Sequence, residues 1–190
     1  MNLPLLAARA RLYQSGPTGA SIEYVRDNAL DTRHLFRASG AYAVAFVDID
    51  GDRFDFAGSK ESTPAVVIEV AGSDGHSVID LLAWPISKPS AFVTMFGRAE
   101  ILGGRNLFAA ATYAFDTPLI CYRTPLAWWK AGCTGAVVIK PASAARLLLD
   151  APGTISGEDH AHSVEIAELV RGLFNPARFV TPLSDLGRAA

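Results

Sequence analysis

Cysteine is scarce in this chain, and its scarcity argues against two kinds of site. The 190 residues include two cysteines, Cys121 and Cys133, with no CxxC pair and no Cys/His run at zinc-ligand spacing. Small secreted domains that depend on disulfides carry many more cysteines. We therefore expect neither a disulfide-stabilised secreted domain nor a cysteine zinc site, and the sequence indicates no cofactor.

Long apolar runs and a strong charge of either sign are also absent. No window approaches the ~20 uncharged apolar residues that a membrane-spanning helix needs. Arg9 and Arg11 interrupt the apolar N-terminal stretch, where a signal peptide would have an unbroken core. The 17 basic and 19 acidic residues give a net charge of −2, which disfavours a general nucleic-acid-binding role. We expect a cytoplasmic protein with no membrane partner.

The chain is rich in hydrophobic residues. Half of its residues are hydrophobic, 19% are charged, and the mean hydropathy is +0.23. This composition is typical of a folded domain, and the length suits a single domain. Residues 85–90 are a weak candidate for a boundary between its two halves. The apolar excess indicates a large core or an apolar face covered by a partner, so a homodimer is an open alternative. Abundant alanine and a preference for arginine over lysine indicate a bacterial source.

Hydrophobic periodicity predicts an α+β fold. The first half reads as helices followed by an antiparallel β-meander, and the second half alternates strand and helix in the α/β manner. We expect one mixed sheet with flanking helices on one side. Helices are predicted over 3–15, 20–38 with a break near 28–31, 90–96, 105–113, 125–131, 142–149 and 158–174. Strands are predicted over 41–49, 53–57, 65–70, 77–84, 119–122, 136–139 and 178–181.

The motifs that identify common catalytic and nucleotide-binding sites are missing. There is no GxGxxG or GxxxxGK[ST] loop, no GxSxG elbow, no HExxH and no kinase signature. Candidate sites must therefore be sought among short clusters of polar and aromatic residues.

An acidic cluster, Asp48, Asp50 and Asp52, surrounds Gly51. Clustered carboxylates are the ligands that calcium and magnesium prefer. The spacing matches an EF-hand loop poorly, however, because the glycine comes too early and Ser59 occupies the twelfth position. Asp-Gly is also a strong hairpin signal. We favour a hairpin tip and keep a metal site as the weaker alternative.

A segment rich in acids and histidines, Glu158, Asp159, His160 and His162, opens the last predicted helix. Acid and imidazole together can form a metal site or an acid/base pair. If the helix has begun by Glu158, that residue and His162, four positions on, share a helix face, whereas His160 and His162 point in different directions. Ser156 and Asp159 also fit a helix cap, and His162 continues the apolar stripe of the helix. We favour the structural interpretation.

The most distinctive segment is the tryptophan pair Trp128 and Trp129 between Arg123 and Lys130. Adjacent side chains on a helix lie about 100° apart, so we expect one ring in the core and the other partly exposed. An exposed ring beside Arg123 and Lys130 would stack on a base, a sugar or a partner side chain. The alternative, which we favour, is that both rings pack inside.

Cys133 follows this helix and is a weak candidate nucleophile. A reactive thiolate prefers a helix N-terminus or a cationic neighbour. Cys133 lies near a helix C-terminus, and pairing with His160 or His162 would require a tertiary contact.

These observations favour a non-enzymatic binding or accessory module with an unknown protein or small-molecule partner, contacted through Arg123, Trp128, Trp129 and Lys130. The first alternative is a hydrolase that uses Glu158, Asp159, His160 and His162. The second is a nucleic-acid accessory protein.

Overall fold

The structure, a computed structural model, describes residues 3–16, 18–58 and 61–174, and it confirms the α+β fold class. The predicted strand 178–181 lies outside the described residues. The α-helices are α1 (Leu3–Ser15), α2 (Gly19–Asp27), α3 (Thr32–Ala38), α4 (Gly104–Phe108), α5 (Pro125–Lys130), α6 (Pro141–Leu149) and α7 (His160–Arg171), with 3₁₀ turns over Ala110–Asp116. The strands are β1 (Tyr42–Asp50), β2 (Arg53–Phe56), β3 (Thr63–Ala71), β4 (Val78–Pro85), β5 (Val93–Thr94), β6 (Ile101–Leu102), β7 (Leu119–Tyr122), β8 (Ala136–Val138) and β9 (Ile155–Gly157).

Local signals account for the N-terminal helices. Thr18 caps α2 by accepting from the Ser21 N–H, and Asp31 caps α3 by accepting from the Arg33 N–H. The break between the two helices falls where it was predicted, and Ala29 there adopts a positive φ of 53°. Among the described residues, no helix is long and apolar enough to cross a membrane.

The first sheet is a closed barrel in the order β1-β2-β5-β4-β3. β1 pairs antiparallel with β2 through a two-residue turn, Gly51 and Asp52, and Gly51 supplies the positive φ of 58°. The predicted simple meander is wrong in one respect, since β3 pairs with β1 and not with β2. The short strand β5 closes the barrel, antiparallel to β4 and parallel to β2.

The barrel strands carry apolar side chains on both faces. On β1, Ala43 and Val47 point into the barrel, where α1 packs Leu12 against them. Tyr42 and Val44 point outward with a second set of apolar side chains, which helices α2, α3 and α5 cover. The period of two along a strand explains this division.

The second sheet has the order β6-β8-β7-β9, so the strands do not share the single mixed sheet that was expected. β7, β8 and β9 are parallel, and β6 is antiparallel to β8. Helices lie on both faces. α5 packs between this sheet and the barrel, whereas α6 and α7 cover the opposite face through Leu148 and Ile166.

Asp80 fixes the path between the two sheets. Its carboxylate is fully buried and accepts four backbone N–H groups, at 2.6–3.1 Å, from Leu81, Phe96, Arg98 and Ala99. A buried carboxylate needs such partners to offset its desolvation. The predicted helix over 90–96 is wrong because this acceptor and the pairing of β5 draw the segment into an extended path.

A second buried acid, Glu69, joins α1 to the barrel. Arg9 donates to its Oε1 at 2.6 Å, and the Ala41 N–H donates to its Oε2 at 3.2 Å. Gly40 makes this approach feasible, because a Cβ there would lie 2.2 Å from Glu69 Oε2 and the glycine φ is +106°.

We predict that Asp80→Ala lowers the free energy of unfolding by at least about 3 kcal/mol, because four buried N–H groups lose their acceptor. Asp80→Asn keeps one carbonyl oxygen and should cost less. The midpoint of urea unfolding measures both effects. Asp52→Ala is the control, since the Asp52 side chain is 82% exposed. Equal shifts for Asp80→Ala and Asp52→Ala would contradict the structural role of Asp80.

Candidate functional site

An open groove lies between the first two helices and the barrel, and we call it the α1–β1 groove. Its volume is about 610 Å³, within the range of small-molecule sites. The C-terminal half of α1 and the start of α2 form one wall, and β1, β2 and the ends of β3 and β4 form the other. The groove is lined by Arg11, Gln14, Ser15, Thr18, Ala20, Val44, Ala45, Phe46, Phe56, Ala57, Pro64 and Ile86.

Three apolar residues of this groove form an uncovered row on the outside of the barrel. Phe46 lies opposite Pro64 in the β1–β3 register, and the Ile86 N–H donates to the Pro64 carbonyl at 3.1 Å. The preceding row, Val44, Val66 and Trp84, belongs to the core under the helices. The helices end before the next row, so Phe46 is 60% exposed and Ile86 is 37% exposed.

Arg11 places a cation at the rim of the groove. Its guanidinium carbon lies 5.1 Å from the centre of the Phe56 ring, a cation–π arrangement. The Nη1 atom is 3.8 Å from Asp55 Oδ1, and both side chains are more than half exposed. Such a surface ion pair contributes little. The sequence does not indicate this groove, because an isolated phenylalanine in a strand carries no sign of which helices will cover it.

The acid and histidine segment meets Arg123 at the carboxyl edge of the parallel strands. β7 ends just before Arg123, and β9 ends just before Glu158. Glu158 Oε2 accepts from the Arg123 N–H at 3.1 Å. The Arg123 guanidinium donates to Glu165 at 2.8 Å and to Asp159 at 3.3 Å. The hydrogen bond to Glu165 is the main cause of a raised pKa for Arg123.

Helix capping occupies most of the same side chains. Asp159 Oδ1 caps α7 by accepting from the His162 N–H at 2.7 Å, and this bond, with Arg123, lowers the pKa of Asp159. His162 is buried, and its Nδ1 accepts from the Glu158 N–H at 3.3 Å. Burial, with help from Arg123, lowers the pKa of His162. His160 is exposed on α7 and takes part in none of these hydrogen bonds.

The side chains of the tryptophan pair are buried and form no part of a binding surface. Trp128 and Trp129 are 0% and 1% exposed, so the expectation that one ring is exposed is wrong and the packed alternative is correct. The indole N–H of Trp128 donates to the Gly135 carbonyl at 3.2 Å, and that of Trp129 donates to the Asp31 carbonyl at 3.0 Å. Both rings therefore pack in the same core, and each indole N–H has a carbonyl acceptor. Lys130 is exposed and Arg123 lies at the other end of the helix, bound to acids.

Cys133 is a buried thiol and a poor nucleophile. Burial raises the pKa of Cys133 to about 12, and it does the same for Cys121. No hydrogen bond connects Cys133 with His160 or His162 in the part of the chain that the structure describes. Cys133 adopts a positive φ of 59° and forms part of the turn after α5.

The carboxylates around Gly51 belong to the hairpin. Asp48 Oδ2 accepts from the Gly58 N–H at 2.9 Å, Asp50 pairs with Arg53 in the strand register, and Asp52 Oδ1 lies 3.5 Å from Arg53 Nε. Within residues 3–16, 18–58 and 61–174, no three His, Cys, Asp or Glu side chains stand close enough together to hold a metal ion. The hairpin interpretation accounts for all three aspartates.

Comparison with known proteins identifies no relative. No protein-family model, curated protein sequence or solved structure matches the chain.

We predict that both cysteines resist alkylation in the folded protein. With a pKa of about 12, each thiol at pH 8 carries on the order of a thousandfold less thiolate than an ordinary cysteine. Iodoacetamide labelling followed by mass spectrometry should give almost no adduct in buffer and two adducts in 6 M urea. Rapid labelling of Cys133 in the folded protein would show that it is an accessible, activated thiol.

We predict that His162 makes the fold less stable at acid pH. Because the folded state lowers the pKa of His162 below its ordinary 6.5, the unfolded state takes up more protons, and the free energy of unfolding falls as the pH drops through that range. The lowered pKa of Asp159 also contributes to the free energy of unfolding, but that contribution is lost only at lower pH, below about 4.

Urea-unfolding midpoints at pH 7.5 and 5.5 measure this effect. His162→Gln can still accept from the Glu158 N–H, and it should reduce the difference between the two midpoints. His160→Gln, on the exposed side of the same helix, should leave the difference unchanged. If both variants behave like the unmodified protein, His162 does not govern the acid response.

Proposed function

We propose that this chain is a non-enzymatic binding module that holds an amphipathic organic acid in the α1–β1 groove. The observation that carries the proposal is the uncovered row of Phe46, Pro64 and Ile86 beneath a cavity of about 610 Å³. Sites for small organic ligands are mostly apolar, with a few polar groups that fix orientation. The groove has this composition.

The apolar wall supports a hydrophobic ligand body. Phe46 and Ile86 leave large apolar surfaces in water although they continue a face that is buried elsewhere. Covering such surface is favourable by about 25 cal/mol for each Å² removed from water. An alkyl or aromatic body lying along Phe46, Pro64 and Ile86 would extend the covered face by one row.

The rim supports a negatively charged head group. Arg11 is the cation that lines the groove among the residues that the structure describes, and its ion pair with Asp55 is long and solvated. A ligand carboxylate can therefore take the guanidinium with little competition, and Arg forms bidentate bonds with carboxylates. Gln14, Ser15 and Thr18 add polar groups on the same side.

The two other functions predicted from the sequence have weaker support. A hydrolase using Glu158, Asp159, His160 and His162 would need these groups free, but three of them act in a helix cap or hold Arg123. A nucleic-acid accessory role has the net charge of −2 against it. Both stay predictions, as do the cytoplasmic location, the bacterial source and the homodimer, whose interface would compete for the same groove.

Isothermal titration with decanoate and with decanol separates the two halves of the proposal. We expect decanoate to bind, and Arg11→Gln to weaken it about tenfold, because the variant loses a charge-assisted bond worth about 1.4 kcal/mol. Decanol binding should be unaffected by Arg11→Gln. Phe46→Asp should abolish the binding of both ligands.

Phe115→Ser provides the control, since Phe115 is fully exposed and lies outside the groove lining. It should leave both titrations unchanged. Failure of the unmodified protein to bind decanoate would remove the proposal. A dimer in sedimentation experiments that Phe46→Asp converts to monomer would assign the groove to a second copy of this chain instead.

A further inference from the structure

We propose that a second cleft, between α3 and the start of α4, binds a phosphate group, either free or as a phosphate monoester. Independently of the α1–β1 groove, this cleft brings together two arginines that have no acidic partner among the described residues, with a histidine beside them. We call it the basic cleft. Its volume is about 220 Å³, and its lining includes His34, Arg37, Gly103, Arg105, Asn106 and Gly132.

The two guanidinium groups and the imidazole come from two separate elements. His34 and Arg37 are three residues apart on α3, so they share the exposed face opposite the buried Leu35. Arg105 projects from the first turn of α4 toward the same cleft. Two guanidinium groups and an imidazole therefore converge in a protein whose net charge is −2.

Nothing in the described part of the chain neutralises the two arginines. No hydrogen bond or ion pair joins Arg37 or Arg105 to another described residue, and no carboxylate lines the cleft. The nearest acid to His34 is Asp31, whose Oδ2 lies 3.7 Å from His34 Nε2. Asp31 is already engaged, since Arg33 donates to it at 2.6 Å and lowers its pKa to about 2.

The base of the cleft is held in place by hydrogen bonds and close packing. Asn106 Nδ2 donates to the carbonyls of Cys133 at 3.1 Å and Gly135 at 2.7 Å, which ties α4 to the turn after α5. A Cβ on Gly103 would lie 2.4 Å from the Gly135 carbonyl oxygen, so this contact requires glycine. Arg105 therefore extends from a fixed base.

Packing also orients Arg105. Its aliphatic chain lies across Gly75, where a Cβ would be 2.4 Å from Arg105 Cδ. On the other side, the His34 ring lies against Gly132, where a Cβ would be 3.5 Å from Nδ1. Restricting these side chains before binding reduces the entropy that a ligand must overcome.

The size and charge of the cleft favour phosphate. A water molecule occupies about 30 Å³ of liquid, so the cleft holds roughly seven waters, enough for a tetrahedral oxyanion. Arginine forks match the oxygens of phosphate and carboxylate. Two arginines with a third, imidazole donor suit a group with three oxygens and up to two charges better than a carboxylate.

The test is isothermal titration of the full chain with inorganic phosphate, glycerol 3-phosphate and acetate at low salt. We expect phosphate or its monoester to bind with a millimolar or lower Kd, and acetate to bind at least fivefold more weakly. Tenfold tighter binding of glycerol 3-phosphate would identify a monoester as the ligand, and equal binding would identify free phosphate. Acetate binding as tightly as the phosphate ligands would overturn the proposal, and so would the absence of binding by both inorganic phosphate and glycerol 3-phosphate.

Variants locate the binding. Arg37→Gln and Arg105→Gln should each weaken phosphate binding at least fivefold, and the double variant should abolish it. Both side chains are exposed and unpaired among the described residues, so the urea-unfolding midpoint should not change. Arg146→Gln, at an exposed position on α6, is the matched control and should bind like the unmodified protein. Equal losses in all three variants would show nonspecific attraction and overturn the assignment.

A single-stranded 12-nucleotide DNA distinguishes a macromolecular ligand. If it binds at least tenfold more tightly than glycerol 3-phosphate, and Arg37→Gln weakens it, the cleft contacts a nucleic-acid backbone and the small-ligand assignment is wrong. Failure of Arg11→Gln in the decanoate titration leaves these outcomes unaffected, because Arg11 does not line the basic cleft.

Discussion

The buried carboxylate of Asp80 is the constraint on which the two-sheet architecture depends. It accepts N–H groups from its own strand and from the segment that leaves the barrel, and so places β5 between β4 and β2 and directs the chain into β6. An uncompensated charge in this position would be very costly, so the segment has little freedom. Glu69 does the equivalent for α1 and the α3–β1 junction.

The positions of the α1–β1 groove and the basic cleft follow from how the helices pack over the two sheets. The helices α2, α3 and α5 cover the outside of β1, β3 and β4 only partly, which leaves the row at Phe46 in contact with solvent. α3 is then held near α4 and the turn after α5, in part because Trp129 donates to the Asp31 carbonyl. That contact brings arginines from distant parts of the sequence to one cleft. A core tryptophan thus acts on the surface indirectly, by positioning α3.

Several candidate residues could be interpreted correctly from the sequence because their roles are local. The aspartates around Gly51 lie in a two-residue hairpin, as turn preferences indicate, and Asp159 caps α7. The predicted pairing of Ser156 with Asp159 in that cap is wrong, because Ser156 lies in β9. Arg123 and the acids at 158–159 were both singled out, but their contact was not foreseen. It requires β7 and β9 to be neighbours, and the predicted strands did not include β9.

Local sequence patterns were sufficient to predict the α+β class, the helices α1 to α3 with their break, the first hairpin and the alternation of β7, α5, β8 and α6. These depend on periodicity, capping and turn chemistry within a few residues. Long-range contacts account for the division into a barrel and a second sheet, the extended path over 90–96, the burial of Trp128 and Trp129, and the exposure of Phe46. Each of these depends on which distant segment supplies a hydrogen-bond acceptor or covers a face, and no local pattern carries that information.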